Sequence, residues 1–135
     1  MSAPDHSGPI DRLLAAIEAG EPPPADVFAP DVTFDATVPN WRFSLRGAEA
    51  VRDQLAQWHR DPGVFEDLTR RPLPQGELVE FTLSWEEHGT PHACHQAQVL
   101  LVNEGRITTQ TVFCGGRWPA SLLAEMADAE RVGAG

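Results

Sequence analysis

The sequence predicts an α+β domain in which helices pack on one face of a curved antiparallel sheet. Three observations carry this. From Glu77 to Trp118 the chain reads as β-strands in series joined by short turns. Two stretches before it, Ile10 to Ile17 and Ala48 to Trp58, each carry one apolar stripe at helical spacing. The order of elements, with four strands in succession, suits segregated helices rather than alternating βαβ units.

The elements follow in order. Residues 1–8 read as a polar, flexible tail, and Pro9 suits the first turn of a helix with Ser7 or Gly8 as its cap. Ile10, Leu13, Leu14 and Ile17 form the buried stripe. Gly20 is placed for a left-handed cap, and Pro22-Pro23-Pro24 stops the helix. Ala25 to Ala29 reads as one helical turn ended by Pro30, and Asp31 to Val38 as a strand with Val32, Phe34, Ala36 and Val38 on one face. Asn40 to Leu45 reads as a connection carrying Trp41 and Phe43. Gly47 opens a helix with Ala48, Val51, Leu55 and Trp58 as its stripe, ending before Pro62. Val64 to Arg71 is a weaker strand with strict alternation, turned by Pro72 to Gly76.

Then comes the meander. Val79, Phe81, Leu83 and Trp85 share one face while Glu80, Thr82, Ser84 and Glu86 take the other. His88 to Pro91 and Asn103-Glu104-Gly105 are turns by composition, flanking strands His92 to Val102 and Arg106 to Cys114. Pro119 to Arg131 closes the chain as a short amphipathic helix, the start of a C-terminal helix and tail over 119–135. A sheet that curls around the helices encloses a cone-shaped pocket whose mouth admits a small ligand.

Composition excludes several classes. The 135 residues suit a single domain over 1–135 that buries its own core without disulfides, and 41% apolar content with four Trp and six Phe suits a folded chain. Twenty acidic against ten basic residues, a net charge of −10, argue against nucleic-acid and anionic-membrane partners. No apolar run is long enough for a membrane span, and the polar first residues do not resemble a signal peptide, so a cytoplasmic location is expected. All ten cations are Arg and there is no Tyr, which rules out lysine Schiff-base chemistry and a tyrosine acid. Cys94 and Cys114 read as two small apolar residues of a reducing compartment.

Val27-Phe-Ala-Pro-Asp-Val-Thr-Phe, Leu45-Arg-Gly47 opening a helix and the Glu104-Gly-Arg-Ile107 hairpin, in that order, resemble the nuclear transport factor 2-like superfamily over Ile10 to Trp118. This superfamily includes ketosteroid isomerases, SnoaL-like polyketide cyclases and scytalone dehydratase. The resemblance implies a cystatin-like α+β barrel, a small hydrophobic carbonyl compound as ligand, no cofactor, and a homodimer through the outer sheet face. Such folds host catalysts and pure binding modules alike. Carried over residue by residue, the isomerase tyrosine falls on Leu13, the aspartate base on Ala36 and the oxyanion aspartate on Gln98, so ketosteroid isomerase chemistry itself is not expected. The resemblance also directs Cys94, Gln96, Gln98, Leu100, Val102, Gln110, Val112 and Cys114 to the cavity. It turns His95, Ala97, Val99, Leu101, Thr109, Thr111 and Phe113 outward.

On that orientation the candidate ligand-binding residues are Trp41, Trp85, Gln96, Gln98, Gln110 and Cys114. Neutral amides orient a carbonyl or stabilise an oxyanion, or they satisfy one another in a packed interior. Trp41 stands in a loop where packing does not demand it, whereas Trp58 and Trp85 lie on regular apolar faces that also suit a core. Asp35, His92 and His95 are the acid–base candidates, a dyad of Asp35 with either histidine being the arrangement to test. Cys114 as a nucleophile needs a base and a lowered pKa, which nothing adjacent in sequence supplies. His88, His92, Cys94 and His95 lie on alternating faces of one strand and cannot converge on a metal. The sequence thus predicts a cofactor-free cyclase or isomerase-like enzyme, or alternatively a non-catalytic binding or interaction module of the same fold.

Overall fold

The computed structural model describes residues 7–134, arranged as three α-helices against one seven-stranded curved, unclosed sheet. Helix α1 (Ser7–Ala19) buries Ile10, Leu13, Leu14 and Ile17, the stripe its spacing predicts. It includes Ser7 and Gly8, which the sequence reading had assigned to the tail; residues 1–6 of that tail lie outside the described residues. The helix ends in a Schellman motif. Gly20, at φ +69°, donates its N–H to Ile17, and Glu21 donates to Ala16. A side chain at Gly20 would also meet the backbone of Asp61 and Pro62 at under 3 Å, so the cap doubles as a packing contact.

A single 3-10 turn (Ala25–Val27) replaces the longer helical turn expected up to Ala29, because β1 (Phe28–Val38) starts earlier and runs through Pro30. Residues 40–45, expected as a connection, form most of strand β2 (Trp41–Arg46), turned at Asn40 with φ +63° and paired antiparallel to β1. The alternation of Phe43 and Leu45 inward with Ser44 and Arg46 outward gave the signal, and the aromatic content obscured it. Helix α2 (Ala48–Trp58), capped by Gly47, places Val51 and Leu55 against β1.

Strands β3 (Gly63–Leu73), β4 (Gly76–Glu87), β5 (Thr90–Asn103) and β6 (Arg106–Cys114) form the antiparallel meander, and β1 docks parallel on β6. The order is β2-β1-β6-β5-β4-β3, with the two-residue β7 (Trp118–Pro119) pairing to β5 before α3 (Ala120–Ala134). The sheet is thus mixed at one pairing rather than antiparallel throughout. Strict alternation also fails in β3. A bulge between Phe65 and Asp67 turns Glu66 and Asp67 to the same side, and Asp67 accepts the Thr82 N–H at 2.6 Å.

The core lies between the concave face and the helices. Val79, Phe81 and Leu83 of β4 and Cys94, Gln96, Gln98, Leu100 and Val102 of β5 are buried, whereas His95, Ala97, Val99 and Leu101 are half-buried on the outer face. Gln110 and Val112 are buried and Phe113 is exposed, so the inward and outward assignments of β5 and β6 hold. Phe34, Phe43 and Trp58 meet at ring distances of 5.8–6.1 Å and pin α2 across β1 and β2. Among the described residues, no helix is long and apolar enough to cross a membrane.

Candidate functional site

A cavity of about 310 Å³ opens at one end of the concave face. Val38 and Pro39 close β1 over it, Phe43 comes from β2, and Trp58 and His59 from the end of α2. Trp85 of β4, Cys94 and Gln96 of β5, Cys114 of β6 and the following Gly116 and Arg117 complete the wall. The lining is mainly hydrocarbon and aromatic with a few polar atoms, the usual make-up of a small-molecule pocket.

His59 is the most informative of those polar groups. Its side chain is buried, and among the described residues its Nε2 has no hydrogen-bond partner. Burial, reinforced by the Arg117 charge, lowers its pKa to about 4, so the imidazole is neutral near pH 7. The helix places it there: His59 caps α2 through its N–H to Leu55 at 2.9 Å, and it continues the stripe four residues beyond Leu55. His59 is not singled out from the sequence above, although that four-residue spacing from Leu55 was the available signal.

The glutamines line up behind the wall. Gln110 Nε2 donates to Gln98 Oε1 at 2.9 Å, and Gln98 Nε2 donates to Gln96 Oε1 at 2.9 Å. Gln96 Nε2 is left facing Cys114 Sγ at 3.6 Å and Cys94 Sγ at 3.8 Å. Only Gln96 reaches the cavity surface; Gln98 and Gln110 lie deeper, and Gln110 Oε1 has no partner. Among the described residues no carboxylate or histidine hydrogen-bonds Gln98, whose partners are both amides. Leu13 and Ala36, the other positions matched to isomerase residues, are fully buried and carry no acid or base.

The two thiols share this corner. Hydrogen bonding from Cys94 pulls the Cys114 pKa down, with the Gly116 N–H at 3.4 Å and the Gln96 amide acting the same way against burial. Cys94 moves in the opposite direction, its proton held by the bond to Cys114 and by burial. Gly116 takes φ +115°, a conformation that L side chains rarely adopt, and that turn brings its N–H onto the sulfur.

The remaining sequence candidates fall elsewhere. Trp41 lies on the outer strand β2, 68% exposed and away from the cavity wall. Asp35 faces outward and binds Arg42 through both carboxylate oxygens at 2.9 and 3.1 Å, a pairing that lowers its pKa. His95 is also outward, held between Thr82 Oγ1 at 2.8 Å and Glu80 Oε2 at 2.8 Å. His92 stacks on Trp85 with ring centres 5.8 Å apart and reaches the Thr90 carbonyl at 2.9 Å, so it backs the cavity wall without lining it. The structure therefore brings Asp35 together with neither His92 nor His95. Arg117 lies over the Trp85 ring at 5.3 Å and pairs with Glu87, adding a cation at the wall that the sequence did not single out. Among the described residues, no group of three or more His, Cys, Asp or Glu side chains is placed to hold a metal ion.

Helices α1 and α2 on the concave side of an open, curved sheet, with a mainly apolar cavity at one end, give the nuclear transport factor 2-like fold. The comparison with solved structures agrees. An NTF2-like protein from Anabaena variabilis superposes with a TM-score of 0.70 at 14% identity, over 86% of this chain and 95% of that one. A candidate isomerase from Bacillus subtilis gives a TM-score of 0.66 at 15% identity over 82% and 86% of the two chains. A candidate polyketide cyclase from Pseudomonas putida gives 0.62 at 16% identity over 82% and 91%. No family model matches the sequence, and no curated protein matches it.

Proposed function

We propose that this protein is a cofactor-independent small-molecule enzyme of cyclase or isomerase type, acting on a hydrophobic carbonyl compound in the cavity. The observation that carries the reading is His59, a buried neutral imidazole in the cavity wall whose Nε2 has no partner among the described residues. An unpaired buried polar atom costs about 1–3 kcal/mol, so a ligand hydroxyl or enol that meets Nε2 recovers that loss on binding. The Gln96 amide and the Arg117 cation supply complementary groups for a carbonyl oxygen as negative charge develops on it. The low pKa makes His59 a weak base, so its role is to orient and polarise, with positioning as the main source of rate. Similarity to a candidate isomerase and a candidate polyketide cyclase supports the reaction class.

The test is a panel of hydrophobic cyclic ketones and enols, each paired with its hydrocarbon analogue, read by the shift in Tm and then by turnover. Carbonyl compounds are expected to raise Tm above their analogues. His59→Leu is expected to weaken binding by about tenfold, the equivalent of one hydrogen bond. Equal shifts for ketones and hydrocarbons would remove the polar site from the reading.

A second reading, a binding or interaction module without catalysis, is favoured by one observation: Gln98 is surrounded by amides and hydrocarbon rather than by an acid or base. Retained turnover in Gln98→Leu separates the two, because it places the chemistry at the His59 end of the cavity. Of partners, we propose a homodimer through the outer face of β5 and β6. The charge of −10 counts against nucleic acid and against anionic membrane surfaces as partners.

A further inference from the structure

We propose that Cys114 is a nucleophile, and that the ligand it takes is an α,β-unsaturated carbonyl compound, to whose β-carbon its sulfur adds reversibly. This rests on the cavity reading above and names the substrate class. Three features of the cavity support it. Cys114 is one of the residues that line the cavity, and it is only partly buried. Two donors face it: the Gly116 N–H at 3.4 Å and the Gln96 amide at 3.6 Å. Such donors stabilise a thiolate over a thiol, and the thiolate is the reactive form. In the same wall, His59 Nε2 is buried and unpartnered, which marks the space as built for a polar ligand rather than as a packing defect.

The step balances without a further reagent. The sulfur forms a bond to the β-carbon, the carbon–carbon π pair moves to the carbonyl oxygen, and the resulting enolate lies in a wall that contains the Arg117 cation and the Gln96 amide. The proton released when the Cys114–Cys94 pair ionises ends on the α-carbon. The net change is S–H added across the double bond, with nothing oxidised or reduced. Cys94 lines the same cavity but is buried, whereas Cys114 is only partly buried and carries the Gly116 N–H, so Cys114 is the more accessible sulfur. The chain has no lysine, which removes the commonest competing amine.

The experiment uses benzylideneacetone, a flat aryl enone, and benzylacetone, its saturated counterpart, on the reduced full-length protein. Intact mass spectrometry is expected to show one enone adduct on the wild type. That adduct should be lost in Cys114→Ser and Cys114→Ala, kept in Cys94→Ser, and slowed by excess benzylacetone competing for the cavity. Far-UV circular dichroism checks that each variant is folded, and a folded Cys114→Ala stands in if the serine variant is not. An adduct that persists in the Cys114 variants, or that excess benzylacetone does not slow, overturns the proposal. So does an unmodified wild type whose Tm nevertheless rises with benzylacetone, an outcome that leaves the cavity reading standing. If neither compound binds or reacts, both fall together.

Discussion

His59 makes the pocket sensitive to pH in a direction that follows from its burial. Its folded-state pKa is about 4, against about 6.5 for an exposed histidine. Between those values the unfolded chain binds the extra proton and the folded protein does not, so stability falls as pH drops from 6.5 towards 4 and is complete above 6.5. The window corresponds to about 3 kcal/mol, at 1.36 kcal/mol per unit of difference. Urea denaturation at pH 7 and pH 4.5 should show a smaller loss of stability in His59→Gln than in the wild type, and parallel losses would exclude His59 as the cause. The glutamines act at the same scale but through packing. Gln98→Leu strands the Gln110 amide N–H and the Gln96 carbonyl oxygen together, an expected cost of about 2 kcal/mol in urea unfolding. A variant with all three glutamines changed to leucine should recover part of it, since no buried amide is then left unpaired. That Gln96, Gln98 and Gln110 face inward could not be read from alternation, because both faces of β5 and β6 are partly apolar; the family resemblance decided it. That they satisfy one another in a directed chain depends on the β5–β6 register, in which Leu100 faces Gln110 and Gln98 faces Val112, and no local pattern contains that register.

Elements were legible where one face is strongly apolar and uninterrupted, as in α1, α2 and β4. They were misjudged where chain features imitate a loop. The aromatic, Arg-rich run Trp41 to Arg46 is an edge strand whose outer side is exposed, so its pattern is diluted by solvent-facing residues. In β3 the bulge reverses the faces after Phe65 and carries Arg70 to the inner side, which strict alternation does not anticipate. There Arg70 meets Glu77 through two bonds, at 2.7 and 2.9 Å, and also pairs with Asp11 of α1. The arrangement ties β3 and β4 to the first helix. Glu77 is mostly buried, so removing its partner leaves a carboxylate with little water to replace it. Arg70→Leu should therefore destabilise by about 2 kcal/mol in urea unfolding, and adding Glu77→Leu should restore much of the loss. If the double variant is no better than the single one, the cost lies in lost packing of the arginine stem rather than in an unpaired charge.

At the scale of the whole molecule, the two faces of the meander serve different ends. The concave face is occupied by α1, α2 and the cavity. The outer face carries the cross-strand pairs Ala97 with Phe113 and Val99 with Thr111, and Phe113 is 51% exposed. An exposed Phe beside half-buried Ala97 and Val99 is the feature that suggests this face for the proposed dimer. In a two-fold dimer each copy offers the same face, so a residue near the axis meets its own counterpart, and one substitution acts twice. In the dimer proposed above, Phe113→Asp would bring two like charges together, and sedimentation velocity should then report a dimer for the wild type and a monomer for the variant. The fold itself should survive, because Phe113 contributes nothing to the concave core. The cavity lies on the opposite side of the sheet, so any ligand that raises Tm in the wild type should raise it in the monomeric variant as well. A wild type that sediments as a monomer at tens of micromolar would assign the outer face another role. A variant that becomes monomeric and also loses its ligand response would show that the two faces are coupled through β5 and β6, whose residues alternate between the cavity wall and the outer face.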